Sequence, residues 1–445
     1  MQYRLTHLGA ENSVTGSCHL LQIADLNILI DCGLSQGDDP QIEIEDWPVK
    51  PRDIDYCFIT HAHIDHTGRL PALIDSGFGG EIICTHATRA LITVMLRDAM
   101  AFTKKSDGDI HRVSKKIDDL AWGFEYRTDF QLKNGISFKL GNAGHILGSC
   151  FVRIASETPQ WSVIFSGDIG SVDTPLLPDP EPPCTCDLLV LESTYGDRLH
   201  ENRRERIENL GKILLRALRD QGKVFIPAFS LGRTQELIYE LDRVFSDKAF
   251  GRALRQFNQG RKIPVFIDSP LGIQITKIYA DLSEFWDREA TDLKRKGDHP
   301  IDFDHLYAVE NYGSHKRILE MKGPMIVIAG SGMCTGGRII SHLKSGIEDP
   351  KNDVLFVGYQ AQGTLGRDIL NYSSYPNGYV SMNNEKVCIN AGVYKLYGYS
   401  AHADQRGLLD WVKSMPRKPG KIKLVHGEAH AKKVLMEKLK KEGCC

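Results

Sequence analysis

The chain has 445 residues, 42 % of them hydrophobic and 25 % charged, more than one core normally fills, so a globular protein of two domains is expected. Its 55 basic and 57 acidic residues leave a formal net charge of −2, so any attraction for a nucleic acid must come from a local groove and not from an overall basic surface. No apolar run approaches the roughly 18 residues of a membrane helix, the opening Met1-Gln2-Tyr3-Arg4-Leu5 lacks a secretory pattern, and the eleven cysteines are odd in number and scattered; a cytoplasmic protein with reduced thiols is expected.

From the N-terminus, the apolar run Ile28-Leu29-Ile30 ends at Asp31. The next, Tyr56-Cys57-Phe58-Ile59, leads into His61-Ala62-His63-Ile64-Asp65-His66, which packs three imidazoles and a carboxylate into six residues. Such nitrogen and oxygen donors suit zinc, and three of them plus a water make an open catalytic site, whereas structural zinc sites are closed and rich in cysteine. Four donors in one loop exceed what one open zinc takes, so a second metal is expected to share them. The spacing is not the His-Glu-x-x-His of a zinc-binding helix. Further on, the alternating Ile136-Ser137-Phe138-Lys139-Leu140 leads to His145, Val163-Ile164-Phe165-Ser166-Gly167 to Asp168, and Leu188-Leu189-Val190-Leu191 to Glu192. Cys184-Thr185-Cys186 and Cys444-Cys445 lack the two-residue spacing of a zinc knuckle or redox motif and receive no role.

Beyond about residue 200 the rhythm changes. Lys223 to Pro227 leads into a helix-like Gln235 to Val244, Ile263 to Ile267 into Gly272 to Tyr279, Pro324 to Ala329 into Gly337 to Leu343, and Val354 to Val357 into Gly363 to Leu370. Four strand-loop-helix units predict a parallel sheet with crossovers. Their loops sit at helix N-termini, where backbone N–H groups favour phosphate, which makes Ser230, Arg233 and Ser331 weak substrate-binding candidates, with Ser400 beside them. Gly330-Ser331-Gly332-Met333-Cys334-Thr335 fails the dinucleotide fingerprint at Thr335, and Gly332 to Arg338 fails the phosphate-loop pattern at Arg338, so no nucleotide cofactor is expected. Near the C-terminus, Tyr397-Gly398-Tyr399-Ser400-Ala401 leads to His402 and Ile422-Lys423-Leu424-Val425 to His426. Seven strand ends thus carry a metal-binding or proton-moving group, and they converge only if those strands lie side by side with their ends on one rim. The basic runs Arg203-Arg204, Lys294-Arg295-Lys296 and Lys432 to Lys441 read as solvated helix faces.

Asp31, the His-x-His-x-Asp-His loop, His145 and Asp168 together resemble the metallo-β-lactamase fold, and the series Glu192, His402, His426 resembles its β-CASP nucleic-acid-processing branch, over nearly the whole chain. The resemblance implies an α/β protein: an αββα sandwich beginning in residues 1–205, an inserted β-CASP domain with a mainly parallel sheet in 206–375, and a returning part in 376–445. A glutamate at Glu192 and a histidine at His426 are similar to the RNA-cutting members of the cleavage and polyadenylation specificity factor nuclease-subunit type, whereas DNA-repair members usually have another residue, often valine, in place of His426. The implied function is a zinc-dependent ribonuclease that cuts single-stranded RNA internally, with two zinc ions, RNA as partner and, by resemblance alone, a homodimer.

On that reading His61, His63 and His145 hold the first zinc, Asp65, His66 and His426 the second, and Asp168 bridges them. Asp31 orients a ligand histidine, and Asp65 counts with the catalytic groups as well. His402 protonates the leaving oxygen or binds the scissile phosphate, with Glu192 fixing its tautomer and raising its pKa. A 5′-to-3′ exoribonuclease, a DNA nuclease of the same family, a small thiolester or lactam hydrolase and a non-catalytic RNA-binding subunit stay open at this stage.

Overall fold

The structure is a computed structural model in which residues 3–37, 39–200, 205–396 and 398–444 are described; Met1, Gln2, the expected basic pair Arg203-Arg204, Tyr397 and Cys445 lie outside the described residues. The chain divides into two units, Met1–Leu199 with Ala401–Cys445, and His200–Ser400.

The first unit is built on two six-stranded sheets. In one, Tyr3–Gly9, Cys18–Ile23 and Leu26–Ile30 are antiparallel neighbours, after which Tyr56–Phe58, Glu81–Thr85 and Ala121–Phe124 continue parallel to Leu26–Ile30. In the other, Lys421–Val425, Leu188–Glu192 and Gln160–Phe165 are parallel, followed by the antiparallel series Cys150–Glu157, Ile136–Asn142 and Asp129–Gln131. Successive side chains of a strand face opposite ways, and here both faces are apolar. Val152, Val163, Phe165, Leu188 and Val190 point inward and meet Ile28, Ile30, Phe58 and Ile83 of the first sheet. Their neighbours Phe151, Ile164, Leu189 and Leu191 point outward onto Leu408, Trp411, Leu435 and Leu439 of helices Gln405–Lys413 and Ala429–Lys441. This double burial explains the continuous apolar run Leu188 to Leu191, and each fully buried side chain of this size contributes about 1.5–3 kcal/mol. On the far side of the first sheet, helices His86–Ala101 and Asp107–Leu120 bury Leu91, Ile92, Val113 and Ile117. The layers are α, β, β, α, as the resemblance to the metallo-β-lactamase fold implies.

The second unit has one six-stranded sheet in the order Leu306–Ala308, Val265–Asp268, Met325–Ala329, Lys223–Pro227, Asp353–Phe356, Gly392–Lys395, with every pair parallel. The four expected strand-loop-helix units are present, their helices being Arg233–Ser246, Pro270–Asp281, Arg338–Gly346 and Leu365–Tyr372.

Two expectations are corrected. The return to the first unit, expected near residue 376, falls at Ala401, because Gly392–Lys395 pairs in register with Asp353–Phe356 and so extends the second sheet; a four-residue strand that begins at glycine gives little local signal. No strand runs directly into His402: among the described residues 396 and 398–404 form a loop, pinned by an isolated bridge between Gly170 and His402 and by hydrogen bonds to Ser171 and Ile169. The lysines of Ala429–Lys441 flank a buried stripe of Ala431, Leu435 and Leu439. All ten described cysteines are free thiols. No helix among the described residues is long and apolar enough to cross a membrane.

Candidate metal centre

Six of the seven expected groups stand at or just past a strand end of the first unit, and four of the turns, those at Asp31, His145, Asp168 and His426, share a backbone device. Gly144 and Gly167, each one residue before a ligand candidate, have φ of 67° and 54°. A Cβ on Gly167 would lie 2.7 Å from Cβ of Thr60, so glycine is required there sterically as well. Asp31 and His426 themselves adopt φ of 59° and 50°, a conformation that costs a non-glycine residue of order 1–3 kcal/mol and persists only where surrounding contacts hold it. For Asp31 those contacts are explicit. Its carboxylate accepts from Thr60 N at 2.8 Å, Thr60 Oγ1 at 3.1 Å and Ser17 Oγ at 3.1 Å, and meets His66 Nδ1 at 2.7 Å. With its lone pairs so engaged, Asp31 is turned toward the back of the His66 ring.

The one-turn helix Ile64–Thr67 follows the His61 loop and aims Asp65 and His66 the same way. Two donor sets result. His61, His63, His145 and Asp168 form one, and Asp65, His66 and His426 the other. In the first, His145 Nε2 is 3.2 Å from His63 Nδ1, and Asp168 Oδ2 is 3.5 Å from His61 Nε2 and 3.6 Å from His145 Nε2. In the second, His426 Nε2 is 3.2 Å from His66 Nε2 and 3.6 Å from Asp65 Oδ2. The other oxygen of Asp168 faces this second set, 3.4 Å from His66 Nε2 and 3.7 Å from His426 Nε2.

These separations test the fit of a metal. A tetrahedral ion with bonds of about 2.0–2.1 Å holds its ligands about 3.3 Å apart along each edge, near what both sets show. Hydrogen bonds between imidazoles account for only part of the geometry, since His61 Nε2 and Asp168 Oδ1 are buried without a partner, a rare state for a buried polar atom. The donors fit two cations, one per set, with Asp168 offering an oxygen to each.

The electrostatics agree. Burial, and then the neighbouring His66, hold His61 well below its ordinary pKa; burial and His402 do the same to His145, and burial pushes His63 down to about 4, so the three are neutral imidazoles with lone pairs to share. Burial works against the charge on Asp168, yet His426 and His66 keep it well below the usual carboxylate range. His66 is raised against burial by Asp168, Asp31 and Asp65. A cation would take the place of that proton, as metal binding generally does.

Glu192, the last residue of Leu188–Glu192, accepts from Ile169 N at 2.7 Å and from Thr194 N at 3.2 Å, and its Oε1 lies 3.3 Å from His402 Nδ1. The opposite nitrogen, His402 Nε2, is 3.8 Å from Asp168 Oδ2. Burial opposes a charge on His402, but Glu192 and Asp168 outweigh it and push its pKa up to about 9. Its side chain is 21 % exposed, against 0–3 % for His61, His66, His145 and His426. His402 is therefore placed to exchange a proton with an incoming molecule while the others are enclosed.

The weak substrate-binding candidates lie in the second unit. Ser230 Oγ pairs with Ser269 Oγ at 3.0 Å, and Ser331 Oγ with Thr335 Oγ1 at 3.1 Å. Arg233 is ion-paired with Glu236 and lies 5.4 Å from the centre of the Tyr399 ring, so its charge is already balanced. Ser400 is half-buried at the last residue of that unit. The sequence reading missed Ser17, Thr60 and Thr194, whose hydroxyls touch Asp31, His61 and His426. Thr60 was marked only by standing before His61 and Thr194 only by standing two residues after Glu192, while Ser17 is beside no candidate in the sequence.

Three family models match the chain: the metallo-beta-lactamase superfamily over residues 13–228, the Beta-Casp domain over 234–369, and the Zn-dependent metallo-hydrolase RNA specificity domain over 386–444. The chain is 36 % identical to Ribonuclease TTHA0252 of Thermus thermophilus, over 96 % of its own length and 93 % of that protein. It is 30 % identical to Transcription termination factor FttA of Methanocaldococcus jannaschii, over 96 % of its length and 67 % of that protein. A solved protein of unknown function from Enterococcus faecalis V583 has the same fold, with a TM-score of 0.56 at 11 % identity over 95 % of this chain and 93 % of that one.

Proposed function

Because the chain belongs to the metallo-β-lactamase superfamily, carries its Beta-Casp domain and is a metal-dependent hydrolase of the nuclease type, we propose that it cuts phosphodiester bonds of single-stranded RNA internally, with two zinc ions, in the cytoplasm. The observation that carries this reading is the pairing of two donor sets around Asp168 with an adjacent Glu192–His402 couple. A hydrolase of small esters needs the first of these features but not the second. RNA is supported over DNA by the match to an RNA specificity domain over residues 386–444, which includes His402 and His426, and by a relative named ribonuclease.

His61, His63 and His145 would hold one ion, Asp65, His66 and His426 the other, and Asp168 both. When bound, the ions supply a hydroxide at neutral pH and neutralise charge on the phosphate oxygens. Asp31 keeps His66 Nε2 turned inward by holding Nδ1. Glu192 does the same for His402 and favours its charged form, so that Nε2 carries a proton toward the cluster. His402 would give that proton to the departing nucleoside oxygen as its bond to phosphorus breaks and an oxygen from water takes its place.

A cleavage time course on 5′-labelled single-stranded RNA, beside DNA of the same sequence and a His63→Ala control, tests the proposal. Internal fragments from RNA alone, absent in the control, are expected. Release of labelled mononucleotide would change the reading to a 5′ exonuclease, equal cutting of the DNA would remove the RNA assignment, and intact RNA would point to a small-ester hydrolase or a non-catalytic subunit.

A further inference from the structure

We infer that Thr194 is a positioning residue for the second metal, acting through the ring of His426. The inference rests on the two-metal reading above. Each other histidine that turns a nitrogen toward Asp168 from the second set or the acid couple is held from behind by a carboxylate: His66 by Asp31 at 2.7 Å and His402 by Glu192 at 3.3 Å. Behind His426 stands a neutral hydroxyl, Thr194 Oγ1, 3.0 Å from Nδ1.

The direction of that bond follows from a second contact. Thr194 Oγ1 donates its hydrogen to the carbonyl of His426 at 3.3 Å. A hydroxyl has one hydrogen and two acceptor lone pairs, so at Nδ1 the oxygen accepts, the imidazole proton sits on Nδ1, and the Nε2 lone pair points at Asp65, His66 and Asp168. The backbone around His426 is held by the same segment. Ser193 N donates to His426 O at 3.1 Å and Ser193 Oγ to Val425 O at 2.7 Å, while His426 N reaches Ala10 O at 2.8 Å. Thr194 also donates its own N–H to Glu192, at 3.2 Å. Two residues past the end of Leu188–Glu192, Thr194 thus orients a metal ligand with its hydroxyl and steadies the carboxylate behind His402 with its amide.

Titration of metal-free protein with Zn²⁺ against a competing chelating dye, with thermal melts of each metal-free variant, tests this. Wild type is expected to take up two ions. In Thr194→Val, which keeps the shape and removes the hydroxyl, the second step should weaken by about 10–100-fold, the usual consequence of losing such a support, with the first step unchanged. Thr194→Ser should bind as wild type, and Thr194→Ala should repeat the valine result without a branched side chain. An unchanged second step in both Val and Ala variants, or an equal loss in both steps, would overturn the assignment while leaving two-metal hydrolysis intact. Uptake of a single ion by wild type would overturn both.

Discussion

Among the described residues, two buried clusters of histidine and aspartate stand at strand ends, one in each unit, and their donor atoms are spaced differently. In the first unit Asp168 lies 3.4–3.7 Å from nitrogens of His61, His66, His145 and His426, and two of the atoms involved lack any hydrogen-bond partner. In the second, Asp268 at the end of Val265–Asp268 meets His315 Nδ1 at 2.5 Å, His342 Nε2 at 2.6 Å and Arg338 Nη1 at 2.7 Å. Those are hydrogen-bond lengths, and a guanidinium already balances the carboxylate, so a divalent cation would find its charge opposed there. Asp268 fastens helices Tyr312–Glu320 and Arg338–Gly346 to the sheet. Composition alone would equate the clusters; donor spacing separates a metal cradle from a polar clasp.

Removing metal should separate the two clusters most sharply. A chelator is expected to lower RNA cleavage by roughly 10³-fold or more, since water loses the shift of its pKa from 15.7 to about 7, while hydrogen-exchange protection of helix Arg338–Gly346 stays as it was. Loss of that protection would show that the second cluster also holds an ion.

Replacing His402 by alanine should lower kcat by about 10²–10⁴-fold with the zinc content, measured by atomic emission, equal to wild type; loss of zinc would move His402 among the ligands. Its proton is held below about pH 9 and released as pH rises through that value, and bound cations draw the value down. The pH profile of kcat should therefore fall on its alkaline side at or below about 9, and this limb should vanish in His402→Ala.

Asp31→Asn keeps the shape but removes the charge behind His66, and is expected to weaken metal binding by about 10–100-fold, read by chelator competition. Unchanged affinity would reduce Asp31 to a structural role.

The smallest effect on catalysis belongs to Asp268→Asn, which should leave metal content and kcat at wild-type levels while lowering stability to denaturant by roughly 3–5 kcal/mol, the cost of breaking a buried charge pair. Against burial, hydrogen bonds from His342, His315 and Arg338 hold Asp268 down at about 2. Its stabilisation is thus present above the ordinary carboxylate pKa of 3.8 and lost as pH falls through about 2. A loss of zinc in this variant would blur the distinction between the clusters.

Much of this was legible along the chain because strands buried on both faces write themselves as apolar runs. Leu188 to Leu191 and Met325 to Ala329 are examples, and the residue that ends a run must leave the core. That logic located Asp31, the His61 loop, His145, Asp168, Glu192 and His426. It misread His402, whose loop is placed by Gly170, Ser171 and Ile169 from another part of the chain. It left His342 without a role because Asp268 is 74 residues away, and it passed over Thr60 and Thr194 because a hydroxyl carries no periodicity.

By itself the sequence determined which side chains could bind a cation and which apolar runs would form strands, since donor chemistry and two-residue alternation are local properties. Only the tertiary structure decided how far apart the donors stand, which nitrogen of each imidazole faces inward, and that Asp168 faces two sets of donors while Asp268 is hydrogen-bonded within one. Those are distances between atoms brought together from opposite ends of the chain, as His66 and His426 are, and they exist only once the sheets have packed.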